Sequence, residues 1–398
     1  MKKLLLAVSA CALMAGAAQA EDVKIGILIG FTGPIESLTG HMANAAEAAM
    51  AEVNASGKAK NNYISVRGDD TCTDAAAATA AAERAVTAEG VKGIIGGDCS
   101  GVTRAMLTNV AMPNGIAMVS PSATSPALTA DPDNGLFFRT APSDAREGEV
   151  MADILTEKGV KSIALTYSNS DYGKGLAEAI ASAFTAKGGV VTINAAHDDG
   201  KADYSAEVAA LAAAGGDILV VAGYLDQGGK GIIQASLDTG AFTTFGLPGG
   251  MVGDSLPAAI GPALDGSYGQ VAQSDSPGAA ILADMGKANN PAYDATSPYT
   301  MESYDAAALI MLAMEASGST DSNVYKEKIM EIANGPADGS GVKILPGELG
   351  KALELIAAGT AIDYDGASGV TLIGPGESAG RYKQFEVKGG KYETVQFR

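Results

Sequence analysis

The sequence predicts an α/β protein with two doubly wound parallel-sheet lobes. Three observations carry this. Short β-rich runs alternate with alanine-rich stretches of helical spacing over most of residues 23–246. The runs are apolar-biased, as in VKIGILI (23–29), the pattern of strands covered on both faces. The alternation restarts after FFRT (137–140), and a second sheet of the same kind follows.

In the first unit, strands are expected at 23–29, 63–66, 91–95 and 116–119. Met42, Ala45, Ala46, Ala49, Met50 and Val53 recur at helical spacing after the first strand, and helices at 75–86 and 100–110 separate the others. The second unit opens with a helix at 147–158 and continues with strands at 162–167, 190–194, 218–222 and 243–246. Helices at 173–186, 205–213 and 231–237 lie between these strands. Further helices at 279–288, 301–316, 325–333 and 347–358 suggest that the chain returns to the first lobe. The runs 382–387 and 392–397 around Gly389-Gly390 read as a hairpin. GPGESAG (374–380) precedes a strand, not a helix, so it reads as a turn and not a phosphate loop. Two such lobes with several crossings make a cleft between the carboxyl ends of both sheets, where ligands bind in open α/β folds.

Residues 1–20 read as a cleaved secretory signal: Lys2 and Lys3, an apolar run at 4–13, then Ala18-Gln19-Ala20. Val8-Ser9-Ala10-Cys11 resembles a lipoprotein box, but Cys11 comes too early for an apolar region of useful length to precede it. No later apolar run is long enough to span a membrane. With Lys2 and Lys3 gone, 25 basic side chains face 46 acidic ones. So acidic a surface disfavours nucleic acid and anionic membranes as partners. Cys72 and Cys99 are the two cysteines left, and in an exported chain an isolated pair reads as one disulfide.

Gly97-Asp98-Cys99-Ser100-Gly101 follows a strand and opens a helix, the setting of a nucleophile elbow. A hydrolase built on Cys99 needs a histidine, and the mature chain offers His41, at a helix start, and His197, expected in a surface loop. A disulfide at Cys99 removes that nucleophile. A binding reading uses the same turn differently. Ser100 stands where free N–H groups suit an anion, or else caps the helix. VSPSATSPALT supplies Ser120, Ser122 and Thr124 at the end of the next strand, so both turns would converge on one carboxylate.

Seven segments occur in order: VKIGILIGFTGP, DDTCTDAAAATAAAERAV, GIIGGDCSGVT, MVSPSATSPALT, FFRTAPSD, YSNSDYGKGLA and YDGASG. They resemble the leucine/isoleucine/valine-binding proteins of bacterial ABC importers, the type I periplasmic binding proteins. The resemblance implies two lobes joined by three crossing segments that close over one ligand. It places the first lobe at 21–141 and 271–362 and the second at 142–270 and 363–398. It also implies a Cys72–Cys99 disulfide. By resemblance Ser100 holds the ligand carboxylate beside the Cys99 main chain, and Ser122, Ala123 and Thr124 form the second turn at the ligand. Tyr172 and Tyr224 close from the second lobe, and Tyr299 lies near the ligand side chain. Tyr172 also reads as interlobe packing and Tyr299 as core. The implied partners are a small-molecule ligand and an inner-membrane permease, with a periplasmic monomer and no cofactor.

Two departures bear on the ligand. Gly249 stands where the family places an acid for the ligand ammonium, and Leu38 lies near the place of a first-lobe aromatic. A buried ammonium without a counter-charge costs several kcal/mol. Either another acid serves, with Glu36, Asp144, Asp226 and Glu302 as candidates, or the ligand is a carboxylate or amide without an α-ammonium.

Overall fold

The computed structural model describes residues 20–398, so the leader and Cys11 lie outside the described residues, Ala20 apart. The first sheet holds β1 (Glu21–Ile29), β2 (Asn61–Asp69), β3 (Ile94–Gly96), β4 (Met118–Ser120) and β5 (Phe137–Arg139), all parallel, in the order β2-β1-β3-β4-β5. β3, β4 and β5 are buried at every residue, which fits the apolar runs read at 91–95 and 116–119; β5, which ends in Arg139, was not expected as a strand.

The second sheet contains β6 (Ser162–Ser168), β7 (Val190–His197), β8 (Ile218–Ala222), β9 (Phe245–Leu247) and β10 (Tyr268–Ala272), all parallel. Two short strand pairs follow: β11 (Val342–Ile344) with β12 (Ile362–Tyr364), and β13 (Leu372–Ile373) with β14 (Glu377–Ser378). The hairpin of β15 (Tyr382–Lys388) and β16 (Lys391–Phe397) then joins the second sheet antiparallel, beside β10. That sheet is therefore mixed, with order β16-β15-β10-β9-β8-β6-β7.

The long helix Thr300–Ser317 packs on Glu36–Ser56 and touches β3 and β4, so the late helices complete the first lobe. The chain passes between lobes after Arg139, after Ala272 and before Tyr382. The last passage lies later than the 362/363 boundary expected from sequence. β12 pairs with β11, and β13 packs on the helix Ser322–Asn334, so the chain stays on the first lobe beyond residue 370.

Each sheet has one place where the strand order reverses, and both reversals face the cleft. In the first lobe it lies between β1 and β3, and in the second between β6 and β8. Cys72 sits just beyond β2 and Cys99 just beyond β3, and a disulfide joins them with 5.1 Å between their Cα atoms. Thr71 and Cys72 both take left-handed backbone (φ 61° and 65°), a conformation costly for residues with side chains. The turn is held by the carboxylates of Asp69 and Asp70, which accept from the N–H groups of Thr71 and Cys72, each at 2.9 Å.

Closing a loop of this length stabilises the fold by about 3 kcal/mol by loop entropy. The Cys72→Ser/Cys99→Ser protein is expected to lose about that much in urea titration. Unfolded, unreduced wild type prepared from residue 21 onward is expected to show no free thiol; titration of two would contradict the bond.

Candidate functional site

The first-lobe side of the cleft is a pair of neighbouring turns tied through hydroxyls. Ser120 Oγ donates to the Gly97 carbonyl (2.6 Å) and Ser122 Oγ to the Asp98 carbonyl (2.9 Å). Ser120 Oγ also accepts from Ala123 N–H (2.9 Å), and Ser100 Oγ accepts from Ser125 N–H (3.1 Å). Cys99, in extended conformation, occupies the cap position of the helix, and Ser100 is its first helical residue. Ser100 therefore does not cap the helix; its hydroxyl crosses to the neighbouring turn.

Two buried charges hold these turns. Arg139 is fully buried and donates from Nη1 to the carbonyls of Ala123 (3.2 Å) and Ser125 (2.9 Å), while Nη2 pairs with Glu377 (2.5 Å). Asp98 accepts from Gly30 N–H and from its neighbour Cys99 N–H, both at 2.8 Å, which bridges β1 and β3 at the reversal point. Burial raises the Asp98 carboxyl above its usual range, and raises Asp70 further because the Asp98 charge lies beside it.

From the second lobe come Tyr172, beyond β6, and Tyr224, beyond β8, one from each side of its reversal point. Their rings stack with centroids 5.0 Å apart, and the Tyr172 hydroxyl accepts from Gly250 N–H (3.0 Å). Tyr299, at the start of the helix Thr300–Ser317, has left-handed backbone (φ 62°). Cys99, Ser100 and Ser122 meet Tyr172, Tyr224, Gly250 and Tyr299 around one small cavity of about 20 Å3, with Ile35, Leu38 and Asp98 completing its wall. Ala123 and Thr124 are buried but do not line it; their groups turn toward Arg139 and Asp144.

The four candidate acids separate clearly. Glu36 is exposed. Asp226 latches the lobes at the cleft rim: its carboxylate accepts from Ser37 Oγ (2.5 Å) and Ser255 Oγ (2.6 Å), and its N–H donates to the Pro34 carbonyl (2.9 Å). Glu302 is buried in the late helix, and burial pushes its carboxyl up to about 8. Asp144 is wholly buried, with neither carboxylate oxygen hydrogen-bonded.

Glu147, one turn beyond Asp144, lies beside Gly249 behind the cavity wall and was not singled out by sequence reasoning. Its Oε1 accepts from Gly249 N–H (2.6 Å) and from the Gln270 amide (3.2 Å). Burial pushes its carboxyl up to about 7, opposed by those two donors. Asp144 is raised well above the carboxylate range, by burial and then by the Glu147 charge. A signal was present: Asp144, Glu147, Gly148 and Met151 share the buried face of the helix Asp144–Glu157, whereas Arg146 and Glu149 are exposed.

The nucleophile reading of the elbow fails, because the Cys99 sulfur is bonded to Cys72. His197, expected on the surface, is 1% exposed, with Nδ1 on the Thr166 hydroxyl (2.9 Å). β7 extends to His197 and carries the ring inward, and burial lowers its pKa to about 4. Among the described residues there is no cluster of metal-ligating side chains and no helix long and apolar enough to cross a membrane.

A cavity closed between two like lobes, with three chain crossings beside it, defines a hinged two-lobe solute-binding protein. The chain belongs to the periplasmic binding protein family, whose profile matches residues 22–334. It is 30% identical over 338 residues to Leu/Ile/Val-binding protein homolog 3 of Brucella melitensis biotype 1, covering 82% of this chain and 88% of that one. Its fold is also that of the branched-chain amino acid transporter substrate binding protein LivJ from Streptococcus pneumoniae, solved with isoleucine. That match has a TM-score of 0.75 and 20% identity and covers 94% of this chain and 99% of that one. A solute binding protein of an ABC transporter from R. palustris, solved with benzoate, matches with a TM-score of 0.72 and 20% identity over 94% of this chain and 96% of that one.

Two outcomes follow from the geometry. Asp226→Ala removes the rim latch, and small-angle scattering of the ligand-free protein is expected to give a larger radius of gyration than wild type; equal values would mean that closure does not depend on Asp226. The second concerns pH. Glu147 binds its proton up to about 7 in the folded chain, whereas its ordinary value is 4.5. Folded protein thus holds more protons than unfolded between these values, and this group's contribution falls as pH rises through the window. Glu147→Gln is expected to gain stability relative to wild type between about pH 5 and pH 8 in urea titrations; a constant difference would contradict this.

Proposed function

We propose that this chain is the periplasmic solute-binding component of an ABC importer and that it carries a small amino acid, branched-chain or related. The observation that carries this reading is the convergence of the Cys99-Ser100 and Ser122 turns with Tyr172, Tyr224 and Tyr299 on one interlobe cavity. Ser100 and Ser122 hydroxyls, with main-chain N–H groups of the two turns, would take the ligand carboxylate, as anions are taken at strand-to-helix turns. Ala123 and Thr124 act behind them by setting the second turn. The family membership and the Brucella relative's name support transport of this solute class.

The cavity of about 20 Å3 has room for a single water-sized body. An amino acid therefore enters between parted lobes, and Tyr172, Tyr224, Leu38 and Tyr299 settle around it. Only the closed form brings both lobes onto the ligand, so binding shifts the population toward closure. The closed monomer then docks on the inner-membrane permease. No cofactor enters this reading, and the acidic surface disfavours nucleic acid as a partner. The second reading, a carboxylate or amide without an amine, is favoured by Gly249 and by the benzoate complex of the R. palustris relative.

Thermal shifts on refolded, ligand-stripped protein test the proposal. The panel is leucine, valine, alanine and 4-aminobutyrate, each with its deaminated partner, plus aromatic acids and simple amides. At least one small carboxylate is expected to raise Tm by ~5 °C at saturating concentration. Ser100→Ala is expected to abolish most of that shift while unfolding as cooperatively as wild type. No shift with any panel member would contradict the proposal.

A further inference from the structure

We propose that Glu147, backed by Asp144, takes the ligand's ammonium group in place of an acid at position 249, which makes α-amino acids the preferred ligands. This rests on the carboxylate-binding reading above and decides between its two ligand classes.

The first argument is spatial. A Cβ built on Gly249 would lie 2.9 Å from the Tyr299 hydroxyl and 3.3 and 3.6 Å from the two Glu147 carboxylate oxygens. The room that a side chain at 249 would use is already taken, and part of what takes it is a carboxylate. Glu147 reaches this point from the helix Asp144–Glu157 and is anchored there by Gly249 N–H. The negative charge is relocated, not lost.

The second argument is a surplus of acceptors. Glu147 Oε1 is satisfied by two donors, but both Asp144 oxygens are buried without a hydrogen-bond partner, as is Gln270 Oε1. Among the described residues, no lysine, arginine or histidine lies within ion-pair distance of either carboxylate. Arg139 is the cation on this side; its Nη atoms serve Glu377 and the turn carbonyls, and its charge acts on Asp144 from a distance without an ion pair to either carboxylate. A buried carboxyl pair that forms no ion pair is costly, a cost met in the ligand-free protein by proton uptake, and a group with three N–H donors and a positive charge relieves it.

The third is position. Tyr172, Gly250 and Tyr299 line the cavity, and Glu147 stands directly behind them, against Gly249. The cavity must enlarge to admit any amino acid, and outward movement of the Tyr299 hydroxyl exposes Glu147 to the ligand. The carboxylate end of the ligand then lies on Ser100 and Ser122, and its amine faces the Gly249 side.

A purely structural Glu147 would serve only as acceptor for Gly249 and Gln270, a role that the carbonyl of glutamine fills equally well. Calorimetry on refolded wild type and Glu147→Gln, with leucine and valine and their deaminated partners, separates the two. Wild type is expected to prefer the amine-bearing member, and Glu147→Gln to reduce that preference ~100-fold, with a ligand-free Tm no lower than wild type. Glu147→Asp is expected to recover part of the preference. A preference unchanged within ~3-fold in Glu147→Gln overturns the assignment. If wild type prefers the deaminated acids, the importer reading stands and the role of Glu147 falls. If wild type binds no panel member, both fall.

Discussion

The cleft depends on two short hydrogen bonds that tie one turn to the next. Ser120 and Ser122 donate to the carbonyls of Gly97 and Asp98, so the segment after β4 is fixed on the segment after β3. Everything the first lobe presents follows from that. Ser100 is held by Ser125, Arg139 fixes the far side of the second turn, and the Cys72–Cys99 bond anchors the first turn to the end of β2. An elbow-like sequence thus becomes a rigid polar edge. Rigidity matters because a carboxylate is bound tightly only by donors that need no reordering when it arrives.

The second lobe contributes shape and charge. Its reversal point supplies two stacked tyrosines that pack on the first-lobe edge, and behind them lie Asp144 and Glu147. The helix that carries these acids starts just after the first crossing, and Asp144 N–H donates to the Thr124 carbonyl (2.8 Å). The buried charge is therefore linked directly to the first-lobe turn across the hinge. In the ligand-free closed form the pair is relieved only by proton uptake, as its raised carboxyls indicate, whereas a bound ammonium would neutralise it directly. With Glu147 in the proposed role, this difference would bias the lobe equilibrium toward the liganded form.

Much of the framework was legible in the residues. Most strands of both sheets, the terminal hairpin and the disulfide follow from apolar runs, a Gly-Gly turn and a count of two cysteines, whereas β5 and β10 were not read as strands. Of the cavity wall, Cys99, Ser100 and Ser122 were legible in the strand-end turns, whereas Tyr172, Tyr224 and Tyr299 came only from the family resemblance. What stayed hidden was set by tertiary packing. Glu147 sits among exposed charged neighbours in DAREGEV and reads as a solvated helix start, yet its helical face is turned into the lobe. The last crossing was placed early because residues 363–378 form only very short strands, which leave little periodicity to read. His197 was misjudged because its polar neighbours Asp198 and Asp199 suggest a loop, whereas it is the last residue of an edge strand.

The most direct measurement is a crystal structure of the refolded protein with the panel amino acid that binds most tightly. The account predicts closed lobes, the ligand carboxylate on Ser100, Ser122 and adjacent N–H groups, and the ammonium within about 3 Å of a Glu147 oxygen, with Tyr299 displaced from its ligand-free position. An ammonium held elsewhere, or a ligand outside the interlobe cavity, would contradict it.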